Sequence, residues 1–143
     1  MPQTVSVSSH IRRPVDDTGS FISDPHKLFA HLSTFSRCRF IEANDEGELW
    51  DVYMDSGTIY LGGRVLITSG PNCLSWRSVR GTRHSFEASA ERDDDGTRLT
   101  LSLTFSASGL AIARISELIG RGLVARNLEA AAQEIRHHLE FEV

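Results

Sequence analysis

The sequence predicts an α+β domain: a curved antiparallel sheet of seven strands, two short helices after the first strand, and a long C-terminal helix over an apolar cavity. Three observations carry this. Within DDDGTRLTLSLTF, residues 93 to 105, Leu99, Leu101, Leu103 and Phe105 alternate with Thr100, Ser102 and Thr104, the period of a strand with one face buried. Turn residues at 44–47, 55–57, 70–72, 81–82 and 93–96 cut the middle of the chain into short segments rich in β-branched and aromatic residues. After residue 114 the period changes to that of a helix with one apolar face.

Taken in chain order, the strands fall at about Val5–Arg12, Arg39–Ala43, Leu49–Met54, Thr58–Thr68, Leu74–Arg80, Ser85–Arg92 and Arg98–Ser106. Pro14–Ser36 is a helical insertion. Pro14 suits a first helical turn, Asp16 and Asp17 suit its dipole, and Asp24-Pro25 divides it into two short helices. Phe21, Ile22, Leu28, Phe29 and Leu32 form its inner side. Asp95-Gly96 is the hairpin signal before the last strand. The terminal stripe is Ile115, Leu118, Ile119, Leu123, Leu128, Ile135 and Leu139. Gly120 and Gly122 cost about 1 kcal/mol each inside a helix, so either the helix includes them or it begins near Leu123. A helix of ~24 residues is about 36 Å long and needs an apolar partner, which the leucine face of the last strand offers.

Composition excludes several classes. At 143 residues the chain is expected to be one domain, spanning 1–143, and its 40% apolar residues are ordinary for a soluble globular protein. No apolar run reaches membrane-spanning length, and MPQTVSVSSHIRRPV lacks the apolar core of a secretory signal, so a cytoplasmic location is expected. The formal charge of −4 and the absence of a basic stripe argue against nucleic acid. Of the 15 basic residues only Lys27 is lysine, which a coding bias toward arginine accounts for. Cys38 and Cys73 have no metal-site spacing and are expected to be free core thiols. No nucleophile elbow, phosphate loop or dinucleotide fingerprint is present, so no cofactor is expected.

The order strand, two short helices, six-stranded meander and terminal helix resembles the START-like (SRPBCC), or helix-grip, superfamily, which also holds polyketide cyclases, coenzyme Q-binding proteins and Bet v 1-like proteins. PVDDTGSFISDPHKL looks like its first-helix motif, DGTRLTLSLTF like its last hairpin, and GLVARNLEAAAQEIRHHLE like its terminal helix. The resemblance implies a cavity between sheet and helix that holds a hydrophobic or amphipathic small molecule, often without chemistry.

Candidate ligand-lining residues are Ile59, Leu61, Val65, Trp76, Arg80, Phe86, Leu101, Leu103, Phe105, Ile115 and Ile119. Ala88 and Ala90 beside Phe86 leave space on one strand face, unless the first helices fill it. For catalysis, Trp76, Ser78 and Arg80 share a face of the fifth strand, where an aromatic wall, a hydroxyl and a cation suit an enolate. Aromatase/cyclase relatives carry a similar Trp-x-Ser-x-Arg pattern, on the strand equivalent to GGRVLITS rather than on the one after it. Two function classes follow: a binding protein for a lipid, quinone, isoprenoid or polyketide-like molecule, or a cofactor-free cyclase, aromatase or dehydratase aided by Arg80, Tyr60, Tyr53 or a histidine. A regulatory module that binds protein and no ligand is the third. His26 and His31 flank the Leu28-Phe29 pair as gate or general base, and Arg83, His84 and Glu87 suit an outer-face ion pair. His137-His138 with Glu134 and Glu140 lacks the i, i+4 histidine pair of a metal motif and is expected to be a solvated helix end with no metal. A free strand edge leaves room for a homodimer.

Overall fold

The computed structural model describes residues 2–35, 37–55, 60–106 and 117–142; the side chains of 55, 60 and 117–120 lie outside that description. The elements run β1 (Pro2–Ile11), α1 (Val15–Ile22), α2 (Pro25–Ala30), β2 (Arg37–Asn44), β3 (Gly47–Asp55), β4 (Tyr60–Gly70), β5 (Cys73–Gly81), β6 (His84–Asp93), β7 (Gly96–Ser106) and α3 (Glu117–His137), closed by one π-helical turn (His138–Glu142). The strands form a single antiparallel sheet in the order β1-β7-β6-β5-β4-β3-β2. The predicted element order stands. The strands are longer than the apolar pattern marks because polar residues continue the ladders: Thr4, Ser6 and Ser8 on β1 meet Thr104, Ser102 and Thr100 on β7 through hydroxyl hydrogen bonds of 2.9, 2.8 and 3.2 Å. The expected start of β4 at Thr58, and Ile59 with it, lie outside the described residues.

Local chemistry explains the helical insertion. Asp24 accepts hydrogen bonds from the backbone N–H groups of His26 (3.0 Å) and Lys27 (3.4 Å), and Pro25 takes the first position of α2, where no N–H is needed. The β6–β7 turn differs from expectation. Its two central residues are Asp94 and Asp95, with Asp94 at φ 56° and Asp93 paired to Gly96. Gly96 is required by close approach instead, since a Cβ there would lie 2.5 Å from the carbonyl oxygen of Ile11.

The concave face holds the core. Leu99, Leu101, Leu103 and Phe105 are all at most 2% exposed. Opposite them lie Val5 on β1 and Phe86, Ala88 and Ala90 on β6. α3 rests on β1 and β7 through Val124, Leu128, Ala131, Ala132 and Ile135, all buried. α1 lies over β5, β6 and β7 and buries Phe21 and Ile22, so the space beside Ala88 and Ala90 admits a helix and is not a void. α3 includes Gly120 and Gly122, which sets aside a helix start at Leu123. Ile115 lies outside the described residues, and Ile119 is described only as α3 backbone. No helix among the described residues is long and apolar enough to cross a membrane.

The C-terminal end is docked, contrary to the solvated end expected. Glu134 accepts from the backbone N–H and hydroxyl of Ser33 (3.1 and 2.8 Å) and from Thr34 (3.2 Å). Glu140 accepts from the backbone N–H of Arg12 (2.8 Å) and from the guanidinium groups of Arg12 and Arg136 (3.3 Å each). Its burial favours the neutral acid, but these donors outweigh burial and hold its pKa below the usual value.

Candidate functional site

The concave face is covered unevenly, and that unevenness creates the site. α3 covers the β1 and β7 side, whereas α2 and the segment leading to β2 cover β3, β5 and β6 with aromatic rings. Trp76 stacks on Phe86 at 4.2 Å and 23°. Phe35 meets Trp76 edge-on at 5.5 Å and Phe86 at 5.9 Å. Phe29 bridges Phe35, Trp50 and Trp76 at 6.2, 5.0 and 5.7 Å. Beside this cluster opens a hollow of about 530 Å³, lined by His26, Phe29, Ala30, Leu32, Ser33, Phe35, Cys38 and Trp50.

The hollow is apolar with polar groups at one side. Trp50 Nε1 donates to Glu48 Oε1 at 2.9 Å, and His26 Nε2 lies 3.2 Å from the same oxygen. His26 packs edge-on against Trp50 at 4.9 Å, and Phe40, 42% exposed, packs on both rings. Burial pushes the Cys38 thiol up to about 12, with a hydrogen bond from the backbone N–H of Tyr53 to the sulfur opposing it. This thiol is a packing group, unreactive at neutral pH. Both cysteines are free.

The residues singled out from the sequence divide into three groups. Leu61, Val65, Trp76, Phe86, Leu101, Leu103 and Phe105 are brought together on the concave face, each no more than 3% exposed. Ile59, Ile115 and the side chain of Ile119 lie outside the described residues. Arg80 is separated from the rest. Arg64 pairs with Arg80 but Val65 pairs with Ser78, so Val79 is an extra residue that reverses the facing of everything after it. Trp76 and Ser78 therefore face inward and Arg80 outward, against the expectation of one shared face. The bulge is accommodated where Gly63 pairs with Gly81, both at positive φ, so closely that a Cβ on Gly63 would strike the Arg80 carbonyl.

On the convex face Arg80 stands in a row with Arg64, Asp51 and Arg39 across four strands. Asp51 accepts from Arg64 Nε at 3.0 Å and from Arg39 Nη2 at 3.1 Å, and these bonds, Arg64 first, lower its pKa. Tyr53 also faces outward, with the Arg37 guanidinium 5.1 Å from its ring centre. The side chain of Tyr60 is not among those described.

His84 is buried on the inner face and not in an outer ion pair. Its Nδ1–H donates to the Thr82 carbonyl at 2.7 Å, and its Nε2 accepts from Trp76 Nε1 at 3.1 Å. Burial lowers its pKa, so the ring is held neutral. Its backbone N–H donates to Ser78 Oγ at 3.1 Å, which fixes the serine as well. Trp76, Ser78 and His84 thus make one neutral, satisfied network. His26 and His31 part company: His26 borders the aromatic hollow, and His31 faces the C-terminal turn, its ring 3.8 Å from that of His138. The residues of the hollow not assigned to a site from the sequence are Ala30, Ser33, Phe35, Cys38 and Trp50; for Cys38 and Trp50 alternation marks only which side of a strand they occupy, and Phe35 lies in the segment between α2 and β2.

No family model matches the chain, and no curated protein matches it in sequence. Solved structures do match in shape. A START superfamily protein from Mycobacterium smegmatis superposes with a TM-score of 0.78 at 13% identity, over 98% of this chain and 99% of that one. The Zhui aromatase/cyclase from Streptomyces sp. R1128 gives 0.76 at 14% identity, over 98% and 94%. The major latex-like protein 151 of Panax ginseng gives 0.71 at 10% identity, over 97% and 98%. The six-stranded meander closed by β1 beside β7, the paired short helices after β1 and the terminal helix across the concave face, matched over nearly the full length of these proteins, give the chain the START-like, or helix-grip, fold.

Proposed function

We propose that the protein binds a hydrophobic or amphipathic small molecule of the lipid, quinone, isoprenoid or polyketide-like class, as a cytoplasmic carrier without a cofactor. The observation that carries this reading is the hollow of about 530 Å³ walled by Phe29, Leu32, Phe35 and Trp50. Its size falls within the range of small-molecule sites, and apolar burial at about 25 cal/mol per Å² supplies the attraction. The His26–Glu48 pair offers a polar contact for one end of the ligand. A second groove, about 370 Å³ on the convex face, is edged by Thr68, Ser75, Arg77, Glu87 and Ser102, and that hydroxyl and charged lining suits an apolar molecule poorly.

The cyclase reading needs a group that stabilises developing negative charge. Arg80 faces away from the aromatic cluster, so the carrier reading is the better supported. Leu61, Val65, Trp76, Phe86, Leu101, Leu103 and Phe105 then form the floor beneath the ligand's compartment, with Ile59, Ile115 and Ile119 as proposed completing residues. β1 and β2 are the two ends of the sheet, and a homodimer paired through one of them belongs to the same proposal. The test is to purify the chain without detergent and compare native with denatured mass. A stoichiometric apolar compound released on denaturation supports the carrier, and the native mass reads the dimer. A protein that emerges empty and binds no quinone, fatty acid or polyphenol refutes the carrier and leaves a protein-contact role.

A further inference from the structure

We propose that His31, His138 and Glu142 form a binding site for a divalent transition-metal ion, with zinc the cation that the donor set suits. The site is separate from the aromatic hollow and independent of the carrier reading. One ligating atom from each of the three residues lies within 4.8 Å of the other two. Two imidazoles and a carboxylate are the protein ligands of open zinc sites, in which bonds of about 2.0 to 2.2 Å place ligand atoms roughly 3.4 Å apart. Drawing atoms at most 4.8 Å apart to that spacing takes movements of about 1 Å.

The surroundings hold the donors as such a site requires. His31 Nδ1–H donates to the Lys27 carbonyl at 3.0 Å, which makes Nε2 the nitrogen that carries the lone pair of the neutral ring. Metal-binding histidines habitually donate their other N–H to a carbonyl in this way, which fixes both tautomer and ring direction. The buried ring of Phe21 braces both imidazoles, at 5.6 Å from His31 and 4.8 Å from His138. His138 and Glu142 are the first and last residues of the π-helical turn, an uncommon conformation that recurs at functional sites. Between them Leu139 is buried and Glu140 is tied to Arg12 and Arg136, so the turn is anchored on its inner side while His138 Nδ1 is held 2.9 Å from Glu142 Oε1.

His137 Nε2 lies 3.6 Å from the other carboxylate oxygen of Glu142 and acts as a positioning residue, not a ligand. His31 and His138 also border a hollow of about 440 Å³ lined by Phe21, Lys27 and Leu139, which leaves a coordination position for water or a small anion. Adjacent histidines at a helix end point about 100° apart, so the sequence spacing hides this triad; its third member is the residue that follows α2, more than a hundred residues earlier.

The test is calorimetric titration of the purified full chain with zinc chloride, repeated with cobalt chloride to read the visible absorption of the bound ion. One equivalent is expected to bind. His31→Ala and Glu142→Gln each weaken binding by at least about tenfold, and His137→Ala changes it less than that. Residues 31 and 142 are exposed, so both variants are expected to keep the far-ultraviolet circular dichroism of the parent. Glu142→Gln preserves shape and carries the test if the histidine variant misfolds. The proposal is overturned by the absence of saturable binding, or by binding that depends on His137 but is indifferent to His31→Ala and Glu142→Gln.

Discussion

Replacing Phe35 with alanine separates a ring that holds the fold from one that merely borders a ligand. Phe35 is 3% exposed and meets Trp76, Phe86 and Phe29 at 5.5, 5.9 and 6.2 Å. Losing a buried phenylalanine side chain removes its transfer free energy and leaves a cavity, together about 3 to 5 kcal/mol. The stacked Trp76–Phe86 pair beneath it cannot collapse into the gap, because Trp76 is pinned through Nε1 to His84. The upper part of that range is therefore expected, near 4 kcal/mol. With a urea dependence of about 2 kcal/mol per molar, the unfolding midpoint falls by about 2 M at unchanged slope. Phe40→Ala, at a position 42% exposed, lowers the midpoint by less than about 0.5 M and serves as the comparison. The same cavity enlarges the neighbouring hollow, so Phe35→Ala is expected to take up a bulkier apolar probe than the parent does. A Phe35→Ala midpoint within about 0.5 M of the parent, equivalent to about 1 kcal/mol, refutes the packing of this ring when measured by tryptophan fluorescence.

Gly122 lies within α3, and a Cβ added there meets no atom within 4 Å, so Gly122→Ala is expected to stabilise the protein by about 0.5 to 1 kcal/mol in urea unfolding. The pKa of Asp51 is lowered, so its contribution to stability is complete above the unfolded value near 3.9 and is lost as pH falls through the folded value; Asp51→Asn is expected to flatten the acid limb of the stability curve below about pH 4. His84 is held neutral, so folding is favoured above the unfolded value of about 6.5 and that advantage is lost as pH falls toward the folded value. The gap in urea midpoint between parent and His84→Gln is expected to narrow from pH 7.5 to pH 5.5. Cys38, with its thiol near 12, has about a thousandfold less thiolate than an ordinary cysteine, and mass spectrometry should find it alkylated in urea but not in the native state at pH 8.

What the sequence revealed depended on how local the governing physics is. Alternation of Leu99 to Phe105 against Thr100 to Thr104 reports one buried face, and β7 obeys it throughout that stretch. Asp24-Pro25 predicts a helix start because cap and proline act within one turn, and both bonds form. Alternation fails where a strand contains one extra residue. The peptide Trp76-Arg77-Ser78-Val79-Arg80 reads as a regular strand, and only the partner strand, which pairs Val65 with Ser78 and Arg64 with Arg80, shows that Val79 is surplus. The small residues Gly63 and Gly81 that permit the bulge are visible in the sequence, but their meeting is a fact of register between two strands. The aromatic hollow is equally nonlocal, since Phe35 follows a helix, Cys38 and Trp50 lie on two strands, and their convergence depends on how α2 settles against the sheet.

The bulge also bears on which chemistry the concave face supports. A regular β5 would carry Arg80 onto the same face as Trp76 and Ser78, a cation beside an aromatic wall. The extra residue moves that charge to the convex face, alongside Arg64 and the carboxylate of Asp51, where water screens it. What remains beside Trp76 is a neutral histidine with both ring nitrogens bonded and a serine whose oxygen accepts from the backbone. Using His84 as a proton donor or acceptor would break its bond to Trp76 or Thr82 in a buried setting, at a cost of about 1 to 3 kcal/mol for each group left unpaired. A network so arranged orients rings and excludes charge, and those are the demands of holding an apolar molecule rather than of stabilising an enolate. Placing a cation back on the inner face tests this directly. Ser78→Arg, which would add an unpaired charge beside Trp76, is expected to weaken apolar-probe binding and lower stability, whereas Arg80→Ala on the outer face should leave probe binding unchanged.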